Sequence, residues 1–296
     1  MRRRKFGKFD GIQFKTNIHT LQLKSREMIY DMDDINKTPY ANAKHTKSDK
    51  ITYKINPNKL RGDCQSYYDF VETMREIAYN LGIEEEYRIE RADIALNTTT
   101  PFLDLYKINN YLAALIFSRK GTRNKDSYFT MDRDFTLRNI SGGNRDFHLA
   151  IYNKEAESQG RTPWRTRIEF RCMRIGKGTT LDEVIKSLLD MLTRLPEQIE
   201  NLNDEQSWRL YQLYNQESQN GHISSFTEFV GKHAVHIYNR EILKRLHNAI
   251  LSGNFDTWLR DYRRRGRTIT LYNRGDIAEY IRILKSALRK YLQNVG

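Results

Sequence analysis

The chain has 296 residues, of which 39% are hydrophobic and 11% aromatic, and its 50 Lys and Arg residues outnumber 37 Asp and Glu residues for a net charge of +13. Such a chain is long enough for one large domain or two ordinary ones, and its recurring Tyr and Phe residues exclude an intrinsically disordered protein. The positive charge favours an anionic polymer as partner, although charge alone indicates neither fold nor chemistry.

The first half of the chain predicts strands interspersed with helices. An extended segment near Gly11–Thr16 and a strand at Lys50–Ile55 come first. A helix from Ser66 to Leu81 follows, because Ser66 is a good N-cap, apolar residues recur at helical spacing, and Gly82 is a stop signal. The remaining elements of this half are a strand at Tyr87–Asn97, a helix after Pro101, and strands at Ser127–Asp132, Phe147–Asn153 and Trp164–Met173.

Everything after about Gly176 predicts helix. The first helix of this half begins after Thr180, with Glu183 at the capping-box position. Further helices are predicted at about 204–216, 225–250, 254–264 and 274–292. We therefore expect an α+β fold, with an open-faced antiparallel or mixed sheet carrying helices on one face in a split βαβ-like arrangement, followed by a helical C-terminal region. The expected domains are residues 1–176 and 177–296.

Membrane association and zinc binding are not expected. No stretch reaches the roughly 18 consecutive apolar residues that a membrane span requires, and residues 1–5 run into mixed polar sequence without an apolar signal region. We therefore expect a cytoplasmic protein. The two cysteines, Cys64 and Cys172, are far apart and in no metal-ligand spacing, which predicts free thiols.

Alternation along three predicted strands collects polar side chains on one face. Side chains two residues apart in a strand share a face, and in each of these strands apolar residues alternate with polar ones. If the strands lie in one sheet, the polar face carries Asp93, Glu169, His148 and Tyr152 among the basic residues Arg91, Arg165, Arg167, Arg171 and Lys154.

Two carboxylates and an imidazole on one basic face are a plausible site for Mg²⁺ or Mn²⁺. Neighbouring arginines would hold the phosphates of a nucleic-acid strand. A tyrosine in such a site is a suitable nucleophile for a phosphodiester, with His148 or a metal-bound hydroxide to accept its proton. The less specific alternatives are a strand aromatic for Tyr152, a hydrogen-bonded sheet residue for His148 and a solvated ion-pair ladder for Glu169.

Three segments carry a family resemblance. The sequences RADIALN at 91–97, FHLAIYNKE at 147–155 and WRTRIEF at 164–170 resemble, in order and spacing, the three signature strands of the replication initiation factor (Rep-trans) family. That family comprises the rolling-circle initiators of small Gram-positive plasmids and related relaxases of conjugative elements. The resemblance covers roughly residues 50–175.

The resemblance implies a divalent-metal-dependent nickase that cuts one strand of origin DNA at a hairpin. Its tyrosine stays on the new 5′ phosphate, and the free 3′-OH primes synthesis. Since no phosphate-binding loop for ATP is present, a host helicase would separate the strands. The implied metal ligands, or their supporters, are Asp93 and Glu169, and the implied nucleophile is Tyr152, with His148 and Lys154 beside it. Arg91, Arg167 and Arg171 would contact DNA.

The sequence departs from the family pattern at one position and leaves one role open. Asn97 stands where the family commonly has a second acidic residue, so the metal would have fewer anionic ligands. Tyr128 is the reserve candidate for the nucleophile. The helical region is expected to recognise double-stranded origin DNA or to form a homodimer, and the arginine run containing Arg263, Arg264 and Arg265 predicts contacts with duplex phosphates or, alternatively, a solvated helix end.

Three rival functions remain open. A conjugative relaxase or a phage initiator would use the same chemistry. A non-catalytic DNA-binding regulator would bind DNA tightly and with strong salt dependence, without metal or covalent adduct. A metal-dependent nuclease that uses water would cleave DNA without becoming attached to it.

Overall fold

The computed structural model describes most of the chain. The described residues are 8–9, 11–25, 31–46, 51–62, 64–83, 88–117, 128–131, 138–143, 147–234, 237 and 239–293, with the backbone alone for 128–131 and 138–143. They form one sheet and a larger number of helices. The predicted α+β class is therefore confirmed.

Among the described residues, eight strands make up the sheet, and each neighbouring pair of these strands is antiparallel. Their order across the sheet is β2-β3-β1-β4-β8-β7-β6-β5. Their bounds are β1 Lys15–Ser25, β2 Ala41–His45, β3 Ile51–Ile55, β4 Arg88–Thr98, β5 Tyr128–Met131, β6 Arg138–Gly143, β7 Phe147–Asn153 and β8 Thr166–Cys172. The three strands with the family-like sequences, β4, β8 and β7, are direct neighbours.

The helices lie between the strands and, in greater number, after β8. Their bounds are α1 Met32–Lys37, α2 Asn58–Arg61, α3 Tyr67–Leu81, α4 Phe102–Phe117, α5 Lys154–Glu157, α6 Leu181–Arg194, α7 Ile199–Gln219, α8 Phe226–Lys232, α9 Arg240–Ile250, α10 Phe255–Arg264 and α11 Arg274–Gln293. Within the described residues, none of these helices has the length and apolarity needed to cross a membrane.

The apolar face of the sheet follows the predicted alternation. Ile94 in β4, Phe170 in β8 and Leu149 in β7 are completely buried. Helix α3 begins as predicted, since the Ser66 side chain accepts a hydrogen bond from the Asp69 amide, and it ends at Gly82, whose φ of 65° suits a residue without a Cβ. Its apolar stripe, which includes Phe70 and Met74, is buried.

By its internal contacts the chain forms two compact units. The sheet unit comprises residues 9–102, 122–193 and 281–296, and the helical unit comprises residues 1–8, 103–121 and 194–280. In the helical unit the buried Tyr111 hydroxyl donates to Asn203 Oδ1 at 3.0 Å. The functional division predicted after Gly176 stays a prediction.

Some elements differ from the sequence prediction. Strand β1 continues from the predicted extended segment as far as Ser25, and α1 and β2 were not predicted. The helix predicted over 225–250 is two helices, because α8 ends at Lys232 and Asn239 then adopts an extended conformation and caps α9 through the Glu241 amide. The unpredicted elements α1 and β2, of six and five residues, are too short for their hydrophobic periodicity to be informative.

Candidate active site

Strand register brings the predicted site residues onto one face of the sheet. Asp93 of β4 lies opposite Arg171 of β8, which in turn lies opposite His148 of β7. Four residues along the same strands, Asn97, Arg167 and Tyr152 form a second row. The sequence expectation that these side chains share a face is met.

Three potential metal ligands meet on this face. One donor atom each from His19, Asp93 and Glu169 lies within 4.8 Å of the other two. Both carboxylate residues are almost fully buried, at 2% and 1% exposure. An imidazole and two carboxylates are a donor set that Mn²⁺ and Mg²⁺ accept, so the residues fit a divalent cation.

His19 was not predicted from the sequence, because it lies beyond the predicted extended segment and in a β-bulge of β1. Ile18 pairs with Ile94 and Thr20 pairs with Asp93, so His19 is an extra residue in β1. Its Nε2 lies 2.7 Å from Glu169 Oε2, and its Nδ1 lies 2.9 Å from Thr20 Oγ1. A bulge breaks the two-residue period on which strand alternation depends. A lone histidine in β1 therefore gave no signal.

All four carboxylate oxygens of the cluster are bonded inside the protein. Arg91 grips Asp93 with two bonds of 2.7 Å, from Nε to Oδ1 and from Nη2 to Oδ2. Arg171 donates to Glu169 Oε1, and His19 contacts Oε2. Burial alone raises the pKa of Glu169, but the hydrogen bonds and charges of His19 and Arg171 outweigh it and hold that pKa well below its ordinary value. Glu169 is thus a carboxylate, as a metal ligand must be.

The Tyr152 hydroxyl points into this cluster. It donates to Glu169 Oε2 at 2.9 Å and lies 3.4 Å from Arg167 Nη1. Burial, and after it the charge of Glu169 and the hydrogen bond to Glu169, raise the pKa of Tyr152 well above its ordinary value, with Arg167 acting in the opposite direction. The phenol is therefore protonated at neutral pH and needs a proton acceptor before it can attack.

Arg167 is buried in the second row. Its Nε donates to Asn97 Oδ1 at 2.7 Å, and Asn97 Nδ2 donates to Asn17 Oδ1 at 3.4 Å. Asn97 and Asn17 are themselves buried. The oxygen at position 97 is therefore directed to an arginine.

The other predicted catalytic residues occupy different surroundings. Burial, followed by the charges of Arg171 and Arg91, lowers the pKa of His148, whose buried Nδ1 has no hydrogen-bond partner among the described residues. Lys154 begins α5 and pairs with Glu157. The backbone of Tyr128 in β5 lies three strand spacings from Glu169, roughly 14 Å across the sheet. Neither Lys154 nor His148 is bonded to the Tyr152 hydroxyl in the described structure.

The arginines predicted to contact duplex DNA lie at the end of α10 in the helical unit. Arg263, Arg264 and Arg265 are exposed, and Arg264 has only a 3.8 Å contact with Asp261. A cavity of about 430 Å³ in the same unit is lined by Arg240, Asp256, Leu259, Arg260, Arg263 and Arg264. The surface is strongly basic, since only Asp256 among these lining residues is acidic.

No family model matches the chain, and no curated protein matches it. Among solved structures, a rolling-circle replication initiator protein from Geobacillus stearothermophilus is similar at 14% identity and a TM-score of 0.37, with 60% of this chain and 84% of that chain covered. At that TM-score the likeness carries no argument about function.

Proposed function

We propose that this chain is a divalent-metal-dependent, sequence-specific single-strand DNA endonuclease and ligase that initiates rolling-circle replication through a 5′-phosphotyrosyl intermediate. One observation carries the proposal: the Tyr152 hydroxyl lies 2.9 Å from Glu169 Oε2, within the His19, Asp93 and Glu169 cluster. The proposed nucleophile and the candidate ligands for a cation are thus adjacent. The proposal agrees with the expectation drawn from the family-like sequences of β4, β7 and β8.

The metal ligands in this proposal are His19, Asp93 and Glu169. These residues would hold Mg²⁺ or Mn²⁺, which would supply Lewis-acid stabilisation of the charge on the phosphate. Arg91 and Arg171, which now neutralise Asp93 and Glu169, become available to the phosphates of the bound strand. Guanidinium groups bind phosphate and carboxylate with the same bidentate geometry, so this exchange requires rotation of side chains alone.

The chemical step is a transesterification. The Tyr152 oxygen forms a bond to phosphorus, and the bond from phosphorus to the 3′ oxygen of the preceding nucleotide breaks. We assign the phenolic proton to His148, whose lowered pKa keeps the imidazole neutral and able to accept it, and the released 3′ oxygen takes up a proton from water. Nothing is oxidised or reduced, so the number of phosphodiester bonds is conserved and the reverse reaction reseals the strand.

DNA is the substrate that the basic surface fits best. Lys154 would contact the phosphates of the single-stranded nick site, and Arg263, Arg264 and Arg265 would contact double-stranded origin DNA. Residues 177–296 would then serve recognition or dimerisation, and residues 1–176 would carry the chemistry. Strand separation would fall to a host helicase. A relaxase or phage initiator with the same site would use the same reaction on another replicon.

A specific observation favours a second candidate, a non-catalytic DNA-binding regulator. Every oxygen of Asp93 and Glu169 is already bonded to a protein group, so the cluster is complete without a metal. A regulator would bind DNA through the same arginines, without cleaving it. A nuclease that activates water in place of Tyr152 would cleave DNA without forming a covalent adduct, which distinguishes it from the proposed function.

The test is formation of a covalent protein–DNA adduct. Wild type, Tyr152→Phe and the control Tyr79→Phe, which changes a 68% exposed tyrosine of α3, are incubated with labelled single-stranded oligonucleotides from the chain's own replicon, with Mn²⁺ or with EDTA. On a denaturing gel we expect a metal-dependent adduct in wild type and Tyr79→Phe that Tyr152→Phe lacks. An adduct that survives in Tyr152→Phe moves the nucleophile, with Tyr128 next, and binding without cleavage of any origin fragment supports the regulator.

A further inference from the structure

Three guanidinium groups on the polar face of the sheet have different partners. Arg91 forms an ion pair with Asp93, and Arg171 forms one with Glu169. Arg167 lies opposite Asn97 of β4 and Tyr152 of β7. Among the described residues it has no carboxylate within 4.0 Å. These three guanidinium groups therefore have two carboxylate partners between them.

Arg167 carries a positive charge at a buried position. Its residue exposure is 7%, so the guanidinium is largely removed from water. A buried lysine or histidine lowers this cost by losing its proton, whereas arginine stays charged at any pH at which the protein is folded. The group is fixed by a neutral acceptor, Asn97 Oδ1, at 2.7 Å, and its Nη2 has no hydrogen-bond partner among the described residues. A preorganised cation of this kind is an anion receptor.

The position of that receptor identifies the anion. Arg167 Nη1 lies 3.4 Å from the Tyr152 hydroxyl oxygen, the atom that forms the new bond in the proposed reaction. A phosphate within bonding distance of that oxygen also has its non-bridging oxygens within reach of the guanidinium. Arg91 and Arg171, which pair with Asp93 and Glu169, lie on the other side of Glu169 from Arg167.

We propose that Arg167 binds the phosphate that Tyr152 attacks, and that Asn97 keeps this guanidinium free of an internal carboxylate. The inference deepens the proposed function and rests on it. An asparagine holds the arginine in place through one hydrogen bond without cancelling its charge. An aspartate at position 97 would have the same shape and would form a buried ion pair with Arg167, which would then no longer need a phosphate.

The variant Asn97→Asp therefore has effects of opposite sign on stability and on function. We expect its melting temperature to rise, because a buried guanidinium gains a carboxylate. We expect its adduct formation on single-stranded DNA to fall at least tenfold. Arg167→Gln should lose adduct formation as well, and Arg167→Lys should retain an intermediate rate because it keeps the charge but not the planar fork. The control is Arg75→Gln, which changes an exposed arginine of α3 paired with Glu72.

DNA binding measured without cleavage tests this inference independently of the proposed function. A fluorescein-labelled single-stranded oligonucleotide is titrated in EDTA, where no cleavage is expected, at several salt concentrations. Each lost phosphate contact lowers the slope of log affinity against log salt by about 0.7 for single-stranded DNA. We expect that decrease in Arg167→Gln and in Asn97→Asp, and no decrease in Arg75→Gln.

Two results overturn the inference. One is an unchanged slope in Arg167→Gln, which would give Arg167 a structural role. The other is wild-type or higher adduct formation in Asn97→Asp, which would show that position 97 accepts a further metal ligand. If wild type forms no adduct with any oligonucleotide, the proposed function fails, and the salt slopes still decide whether Arg167 binds phosphate.

Discussion

The Tyr152 hydroxyl and Glu169 Oε2 share one hydrogen bond of 2.9 Å, on an oxygen that also contacts His19. The same oxygen is a candidate metal donor. Because an oxygen has a limited number of lone pairs, the phenol and a cation would compete for it. The hydrogen bond that positions the Tyr152 hydroxyl is thus one that a cation bound to Glu169 Oε2 would weaken.

A first prediction concerns the cluster as a metal site. His19→Ala should weaken Mn²⁺ binding by about tenfold or more, a loss typical even of residues that only support a ligand. The matched control is His222→Ala, which changes an exposed histidine of the helical unit. Isothermal titration calorimetry on the full chain measures both. Equal Mn²⁺ affinity in His19→Ala and wild type would exclude the imidazole as a ligand.

A second prediction concerns the basic end of α10. Replacing Arg263, Arg264 and Arg265 together by Gln should lower the salt slope of duplex DNA binding by about 2 to 3, since each phosphate contact contributes about 0.9. The measurement is fluorescence anisotropy with duplex DNA at several salt concentrations.

The control for that experiment matches the change in charge. It replaces Arg61, Arg75 and Arg209, three exposed arginines that each pair with a glutamate. This variant should keep nearly the wild-type slope. If both triple variants lose the same amount, the effect comes from net charge, and the end of α10 has no special role.

A third prediction concerns a buried hydrogen bond of the helical unit. The Tyr280 hydroxyl donates to Asn109 Oδ1 at 2.7 Å, and both residues are almost fully buried. Tyr280→Phe leaves the Asn109 oxygen without a donor and should lower the free energy of unfolding by about 1–3 kcal/mol. Urea denaturation at pH 7 measures this loss. Tyr79→Phe, at an exposed site, should change it by less than about 0.5 kcal/mol; equal losses in the two variants would contradict the prediction.

A fourth prediction concerns pH. Burial lowers the pKa of Lys107 to about 8 from 10.5, although its Nζ donates to the Thr270 carbonyl oxygen at 3.1 Å. Below pH 8 the lysine is charged in both the folded and unfolded states, so the folded state bears the cost of burying the charge. As the pH rises from about 8 towards 10.5, the folded state loses the proton first and wild type becomes more stable.

The variant Lys107→Met isolates this effect. Its stability relative to wild type should be greatest near pH 7 and should decline as the pH rises through 8, measured by thermal unfolding between pH 7 and pH 10. Lys186→Met, which removes an exposed lysine, should show no such trend. A difference between Lys107→Met and wild type that grows with pH would reverse the sign and contradict the prediction.

The sequence predicted the polar face well because β4, β7 and β8 keep strict alternation. Asp93, Glu169 and Tyr152 lie on one face wherever such strands pair, and the register then brings Tyr152 to Glu169. What alternation leaves out is the identity of the partners across the sheet. Whether Asn97 bonds a metal or Arg167 depends on the side-chain directions in two strands that are 70 residues apart in sequence.

The bulge at His19 has a consequence for how this site arises and is lost in evolution. Since Ile18 and Thr20 pair with the consecutive residues Ile94 and Asp93, a gene lacking the single codon for His19 would encode uninterrupted pairing from Lys15 to Gln22 with the other side chains of that stretch on their present faces. Gain or loss of the nitrogen donor is thus a one-codon insertion or deletion that the sheet tolerates. A lineage can pass between a two-carboxylate and a three-donor centre without redesigning a strand.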